Sequence, residues 1–217
     1  MDIEQARFNM IEQQIRPWDV LDTNVLDVIQ EIPRELFVAD QHKELAFTDI
    51  EIPIGHGQVM MSPKVEARML QALNISPTDK VLEIGTGSGF MTACLAKMAK
   101  HVTSCEYYGD LADLAMDRLS KLNISNTHFI RGDVFEQTGS LHSYDVIAIT
   151  GSIPENADSF KKHLSNSGRM FCILGTQPAM SATLVTRAAE DAYRSESLFE
   201  TVIPPLLSTT TEQVFTF

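Results

Sequence analysis

An acid and three glycines stand together in Glu83-Ile84-Gly85-Thr86-Gly87-Ser88-Gly89, directly after the apolar pair Val81-Leu82. Glycine takes positive φ and carries no Cβ, so repeated glycines after a strand let backbone come close to a bound group. A helix opening just beyond such a turn points its first N–H groups the same way. Two further acids sit at informative separations. Glu106 lies 21 positions after Gly85, at the end of a second apolar run. A carboxylate there reaches a ribose diol and accepts from both hydroxyls. Asp133 follows a third run and is placed to accept a hydrogen bond from an adenine amino group. Tight turns and exposed strand ends explain each feature singly, but their combination points to a nucleoside-bearing cofactor.

The spacing also speaks to which cofactor. A dinucleotide fingerprint is Gly-x-Gly-x-x-Gly, with pyrophosphate at the helix start. This chain has Gly85-x-Gly87-x-Gly89, one residue shorter, and Glu83 precedes it. Like charges repel strongly where water is limited, so a carboxylate beside pyrophosphate is costly. An acid at the loop suits a ligand with a cationic end, such as the amino group and sulfonium of S-adenosylmethionine. No Gly-Lys-Ser/Thr phosphate loop is present, which argues against nucleotide hydrolysis.

These residues need strand ends and helix starts to hold them, and the surrounding pattern supplies both. Residues 81–84 read as a strand and 91–100 as a helix; 102–106 make a second strand, and a helix carries Leu111, Leu114, Ala115 and Leu119. Further strands are expected at 128–131, 144–149 and 169–174, with a short helix at 158–164. Strands alternating with helices imply an α/β sheet, mostly parallel, with helices on both faces. Right-handed crossovers put the strand C-terminal ends on one edge, where ligands bind. The tail differs: 183–189, 198–203 and 214–217 read as strands without crossover helices, which predicts antiparallel pairing. Upstream, 4–16 predicts a helix using Phe8, Ile11 and Ile15, and Asp22 or Thr23 caps a second with Val25, Leu26, Val28 and Ile29. A third, short helix begins at Pro33. An extended or edge segment is expected at 47–54 and a loop at 55–61. Ser62-Pro63 then opens a helix with Ser as cap and Pro at the first helical position.

The 217 residues suit one principal domain with an added layer, and 44% apolar content argues against disorder. A net charge of −12, with no compensating basic run, disfavours nucleic acid held through phosphates. Cys94, Cys105 and Cys172 lack paired metal-ligand spacing and read as small core residues of a reduced compartment. The amphipathic start is unlike a secretory signal, and no apolar run approaches the ~20 residues that span a bilayer. A cytoplasmic protein without membrane or metal partners is the expectation.

Several of these stretches resemble the protein-L-isoaspartate (D-aspartate) O-methyltransferase family across nearly the whole chain. Glu31-Ile32-Pro33-Arg34-Glu35-Leu36-Phe37-Val38 resembles its Val-Pro-Arg-Glu-x-Phe-Val segment, and Ala46-Phe47-Thr48-Asp49 its Ala-Tyr-x-Asp. Ile52-Pro53-Ile54-Gly55-His56-Gly57-Gln58 is similar to Leu-Pro-Ile-Gly-His-Gly-Gln, and 81–90 to the cofactor signature, with Phe90 where Tyr is usual. The resemblance implies a seven-stranded, Rossmann-like S-adenosylmethionine-dependent methyltransferase fold, with an N-terminal helical extension and antiparallel C-terminal strands. It divides the chain into a substrate-side extension over 1–75 and a cofactor-binding domain over 76–217. It places Glu83, Gly85, Thr86, Gly87 and Gly89 around the methionine portion, Glu106 at the ribose and Asp133 at the adenine. It also implies carboxyl methylation of isoaspartyl residues in damaged proteins or peptides, by a protein that is commonly monomeric.

The departures lie on the acceptor side. Where the family continues Thr-Ile-Ser-x-Pro, this chain has Val59-Met60-Met61-Ser62-Pro63. The Ser associated with catalysis is thus Met61, and Ser62 falls one place later, at the helix cap. An ionised acceptor carboxylate needs no strong base, only donors that hold it in line with the methyl group. His56 and Ser62 are the candidate catalytic residues, with Thr150 and Ser152 as further donors. His56 equally suits a role in pinning its loop. Two alternatives stand beside isoaspartyl methylation: a diverged methyltransferase with another small-molecule or protein acceptor, and a non-catalytic cofactor-binding or interaction protein.

Overall fold

The computed structural model describes residues 2–137, 139, 141–154 and 157–207. The chain opens with α1 (Ile3–Met10), which runs on through a π turn (Ile11–Ile15) and a 3-10 turn (Arg16–Trp18). The wider π turn resets the face: Met10, Ile11 and Ile15 are buried, while Phe8, expected on the apolar stripe, is 54% exposed. Helix α2 (Thr23–Glu31) starts at Asp22, whose carboxylate accepts from the Asn24 N–H at 2.8 Å, and it buries Val25, Leu26 and Ile29. Two 3-10 segments, Arg34–Phe37 and Asp40–Leu45, follow.

The extended stretch expected next turns back on itself. Strands β1 (Ile52–Gly55) and β2 (Gln58–Met60) form a two-stranded antiparallel hairpin apart from the main sheet. Gly55, His56 and Gly57 all have positive φ, the conformation a tight hairpin turn demands. The loop expected at 55–61 is therefore a turn followed by a strand. Helix α3 (Pro63–Leu73) begins as expected, with Ser62 at the cap position and Pro63 in the first turn.

Seven strands form the main sheet. In chain order they are β3 (Lys80–Ile84), β4 (His101–Glu106), β5 (Thr127–Arg131), β6 (Tyr144–Ile153), β7 (Leu164–Thr176), β8 (Ala179–Ala189) and β9 (Ala192–Glu200). Their spatial order is β5-β4-β3-β6-β7-β8-β9. Pairs from β5 to β7 are parallel, and β7-β8-β9 is an antiparallel meander. Helices α4 (Phe90–Met98), α5 (Gly109–Lys121), α6 (Val134–Gln137) and α7 (Asp158–Lys161) link the parallel strands. The tail strands are shifted from expectation: β9 starts after the two-residue turn at Glu190-Asp191 and ends before Pro204-Pro205, which cannot donate to a ladder. The strand expected at 214–217 lies outside the described residues.

Strand periodicity divides the core in two. Val81, Val102, Val146 and Phe171 face one side, where α3, α4 and the N-terminal helices pack into a single cluster with Met10, Leu26 and Phe37. Leu82, Ile84, Ile147 and Met170 face the other, with Phe160 of α7 and Val134 of α6. The described residues of the N-terminal extension, 2–75, thus share a continuous core with the sheet. Leu70 is fully buried, and truncating it to Ala would cost roughly 2–5 kcal/mol.

Chain order reverses beside β3: the chain leaves through β4 and β5, then returns as β6 on the other flank. That switch point is where a ligand crevice opens in such a sheet. Between Ala148 and Ser152 the β6 register against β7 is irregular, with Ala148 opposite Phe171 and Ser152 opposite Ile173. The extra residues put Thr150 and Gly151 at the crevice.

Candidate active site

The turn after β3 is held in an unusual conformation by contacts on every side. Gly85, Gly87 and Gly89 have φ of +93°, +53° and +87°. A Cβ at Gly85 would lie 2.4 Å from the Thr150 hydroxyl, which donates to the Ile84 and Gly85 carbonyls at 2.9 and 2.5 Å. The Gly85 and Thr86 N–H groups both donate to the Cys105 carbonyl, at 2.9 and 3.2 Å. Gly89 is the N-cap of α4, and a Cβ there would meet Ala115 of α5 at 2.8 Å. Gly85 and Gly87 therefore present bare backbone to the crevice, whereas Gly89 serves helix packing.

Glu106 ends β4 at the rim. Its carboxylate accepts from the Gly87 N–H at 2.7 Å and the Tyr108 N–H at 3.0 Å. Burial raises its carboxyl above the ordinary range, and these backbone donors work against the rise. Asp133 follows β5, one oxygen accepting from the Phe135 N–H at 2.8 Å. Both acids line a groove of about 80 Å³, together with Gly85, Gly87, Val59 and Met61. Among the described residues no Lys or Arg lines this groove. That composition disfavours a phosphate-bearing ligand and leaves room for a cationic one.

Glu83 and Thr86 lie beneath the loop and not on the groove wall. Glu83 shares a strand face with Val81 and is fully buried. One of its oxygens accepts from the Thr92 and Ser104 hydroxyls, each at 2.5 Å, and Thr86 is hydrogen-bonded to Ser104 in turn. The other oxygen has no hydrogen-bond partner. Burial pushes the Glu83 carboxyl up to about 8, partly opposed by the Ser104 and Thr92 hydroxyls, with the Glu106 charge adding to the rise. A neutral acid under the loop follows near pH 7.

The hairpin β1–β2 forms the opposite wall through Ile54, Gln58 and Val59. Its tip is fastened by His56, whose Nε2 is 2.8 Å from Asp110 and whose ring stacks on Tyr108 at 3.9 Å between centroids. His56 thus sits at the rim and pins the hairpin to the start of α5. Ser62 does not line the groove either; its carbonyl accepts from the Val65 and Glu66 N–H groups, and its hydroxyl makes no cap bond. The Ser152 hydroxyl donates to the Ile203 carbonyl at 3.1 Å. Of the sequence-derived candidates, Gly85, Gly87, Glu106 and Asp133 come together at the groove. Met61 lines it as well, joined by Thr150.

Gln58, Tyr107 and the tail were not expected there. Residues 203–207 return along β6, with the Leu206 N–H donating to the Ser152 carbonyl at 2.9 Å. Leu206 then lines the groove, packed against Gly151. The sequence carries no short-range signal for this return. Among the described residues no group of three His, Cys, Asp or Glu side chains is gathered to hold a metal, and no helix is long and apolar enough to cross a membrane.

A mostly parallel sheet with a glycine turn, a strand-end acid and, among the described residues, no Lys or Arg on the groove at its switch point fits the Rossmann-like methyltransferase class. The sequence profile of the protein-L-isoaspartate(D-aspartate) O-methyltransferase family matches residues 5–210. The protein-L-isoaspartate O-methyltransferase of Protochlamydia amoebophila is 37% identical over 199 residues, covering 91% of this chain and 95% of its own. A protein-L-isoaspartate O-methyltransferase 1 of Geotalea uraniireducens is 36% identical over 207 residues, covering 95% and 94%. A Plasmodium falciparum structure assigned to the same activity, solved with S-adenosyl-L-homocysteine, superposes with a TM-score of 0.79 at 18% identity, over 95% of this chain and 98% of its own. The chain belongs to the protein-L-isoaspartate(D-aspartate) O-methyltransferase family.

Proposed function

We propose that this enzyme transfers the methyl group of S-adenosylmethionine to the side-chain carboxylate of isoaspartyl residues in proteins or peptides. The observation that carries the reading is the groove itself. It brings bare glycine backbone and two strand-end acids together with the side chains of Val59 and Met61, with no cation on its wall among the described residues. When bound, the cofactor supplies an electrophilic methyl group on a sulfonium. Gly85 and Gly87 give that end of the ligand close backbone approach, Glu106 accepts from the ribose hydroxyls and Asp133 from the adenine amino group. Glu83 and Thr86 act from beneath, holding the turn through Ser104 and Thr92.

The acceptor carboxylate is ionised at neutral pH, so this site needs alignment and not proton abstraction. Met61 cannot donate a hydrogen bond, and the Thr150 proton is committed to backbone carbonyls. Gln58 supplies an amide donor on the wall it shares with Val59 and Met61. Holding an oxygen in line through one such donor is worth roughly 1–3 kcal/mol when the donor is buried. The test is incubation with an isoaspartyl peptide and methyl-labelled cofactor. A base-labile methyl ester is expected; no ester at high enzyme concentration would overturn the assignment. The apolar residues Val59 and Met61 favour a second reading, a less polar acceptor, which would show as labelled product in extract but not in the peptide assay.

A further inference from the structure

We propose that the buried Arg34–Glu66 pair is a positioning device for the acceptor wall of the groove, fixing the backbone at Met61 against the glycine turn. The inference rests on the function proposed above for what the wall does, but its geometry stands apart from the groove.

Arg34 is 1% exposed and Glu66 2%. The guanidinium sends one N–H to each of three segments. Nε donates to the Ala46 carbonyl at 2.7 Å, Nη2 donates to the Met61 carbonyl at 2.7 Å, and Nη1 is ion-paired with the Glu66 carboxylate. Its flat face lies over the Phe90 ring, 4.8 Å from the centroid, and Phe90 is the first residue after the glycine turn. Glu66 projects from α3 into a cavity of about 30 Å³ shared with Met61, Thr86, Gly87 and Ser88. One planar cation thus sets the spacing between the Met61 backbone, helix α3 and the start of α4. Met61 lines both this cavity and the main groove, so any shift of its carbonyl moves the acceptor wall.

A pair of apolar residues would fill the same space, and buried ion pairs are commonly replaced in this way at little cost in stability. What an apolar pair cannot supply is the donor to the Met61 carbonyl. Lysine keeps the charge but lacks the fork that reaches three acceptors at fixed angles. The arrangement therefore separates folding from positioning.

The experiment compares wild type with Arg34→Met/Glu66→Met and with Arg34→Lys. Urea unfolding, calorimetric binding of S-adenosylhomocysteine, kcat and KM for an isoaspartyl peptide, and the Met61 methyl resonance are measured on each. The double variant is expected to fold and to bind S-adenosylhomocysteine within about threefold of wild type. Its kcat/KM for the peptide should fall about tenfold or more, with the Met61 signal shifted or broadened, and Arg34→Lys should lie between. A kcat/KM within twofold of wild type and an unmoved Met61 resonance would overturn the inference. Should the double variant not fold, Arg34→Lys decides by the same two readouts. Should wild type form no ester, the proposed function falls, and the Met61 resonance alone decides whether the pair positions this wall.

Discussion

Replacing Glu83 with Gln tests the state of the acid under the glycine turn. In the folded chain burial holds the Glu83 carboxyl near 8, against an ordinary value of 4.5. Between those limits the folded state keeps a proton that the unfolded state releases, so stability falls as pH rises through this window. The burden is absent below about 4.5 and fully present above about 8. One pKa unit corresponds to about 1.36 kcal/mol, which makes the total burden roughly 3–5 kcal/mol. Glutamine keeps the shape and the carbonyl that accepts from Thr92 and Ser104, and it does not titrate. Near the acid end of the window Glu83→Gln should match wild type within about 1–2 kcal/mol, since each side chain leaves one polar group unpartnered. By pH 9 the variant should be the more stable by roughly 3–5 kcal/mol. Urea denaturation of both proteins at pH 5 to 9 measures the difference directly. A difference that stays constant with pH would refute a neutral Glu83. S-adenosylhomocysteine affinity, read alongside, should change by less than about threefold because Glu83 does not line the groove. A loss beyond tenfold would instead put the carboxylate in contact with the ligand.

Gly85→Ala should weaken S-adenosylhomocysteine about 100-fold: a Cβ in this left-handed conformation costs roughly 1–2 kcal/mol, and Thr150 must give up its bonds to the Ile84 and Gly85 carbonyls. Calorimetry showing affinity within threefold would mean that the turn does not carry the ligand. Met61→Ser should raise kcat/KM for isoaspartyl peptide about tenfold by adding a donor, while truncation of a buried side chain lowers stability by roughly 2–3 kcal/mol. An unchanged rate would place the acceptor oxygen elsewhere. His56→Asn should let the Asp110 carboxyl titrate higher, because the hydrogen bond from His56 holds it below its ordinary range. Carbon NMR of the aspartates follows this, and an unmoved Asp110 would show that the hairpin tip is not fastened there.

Much of the cofactor side was legible because it depends on short-range pattern. A strand, a glycine turn and a helix follow one another within 80–98, and Glu106 and Asp133 reach the same edge by strand direction alone. The burial of Glu83 was not read: the sequence placed it at the loop beside a ligand, although the two-residue period sets it with Val81 on the helix-covered face and away from the rim. What pattern did not carry was conformation that breaks its own period. The π turn moved the buried stripe off Phe8, and three consecutive positive φ values disguised a hairpin as a loop. Pairings between distant segments were equally silent: Arg34 meets Glu66 across 32 positions, and Leu206 returns to Gly151 from beyond the last strand.

The two buried acids beside the turn show why that silence matters for function. Glu83 and Glu66 are both withdrawn from water, and burial alone lifts both carboxyls. Glu83 has only hydroxyl donors, so the fold keeps it neutral and uses it to order Thr86 and Ser104 beneath the glycine turn. Glu66 has a guanidinium against it, which only partly offsets the rise from burial and leaves its carboxyl at about 7, while Arg34 donates its remaining N–H groups to the Met61 and Ala46 carbonyls. An ionised Glu83 would add a second negative charge close to Glu106, and like charges in low dielectric raise each other's pKa. Keeping it neutral leaves Glu106 free to hold its charge at the rim, where the proposed ribose contact would use it. A buried carboxyl therefore shapes the glycine turn, and on the proposal above a buried ion pair shapes the wall at Met61, with no net charge added to the floor between them.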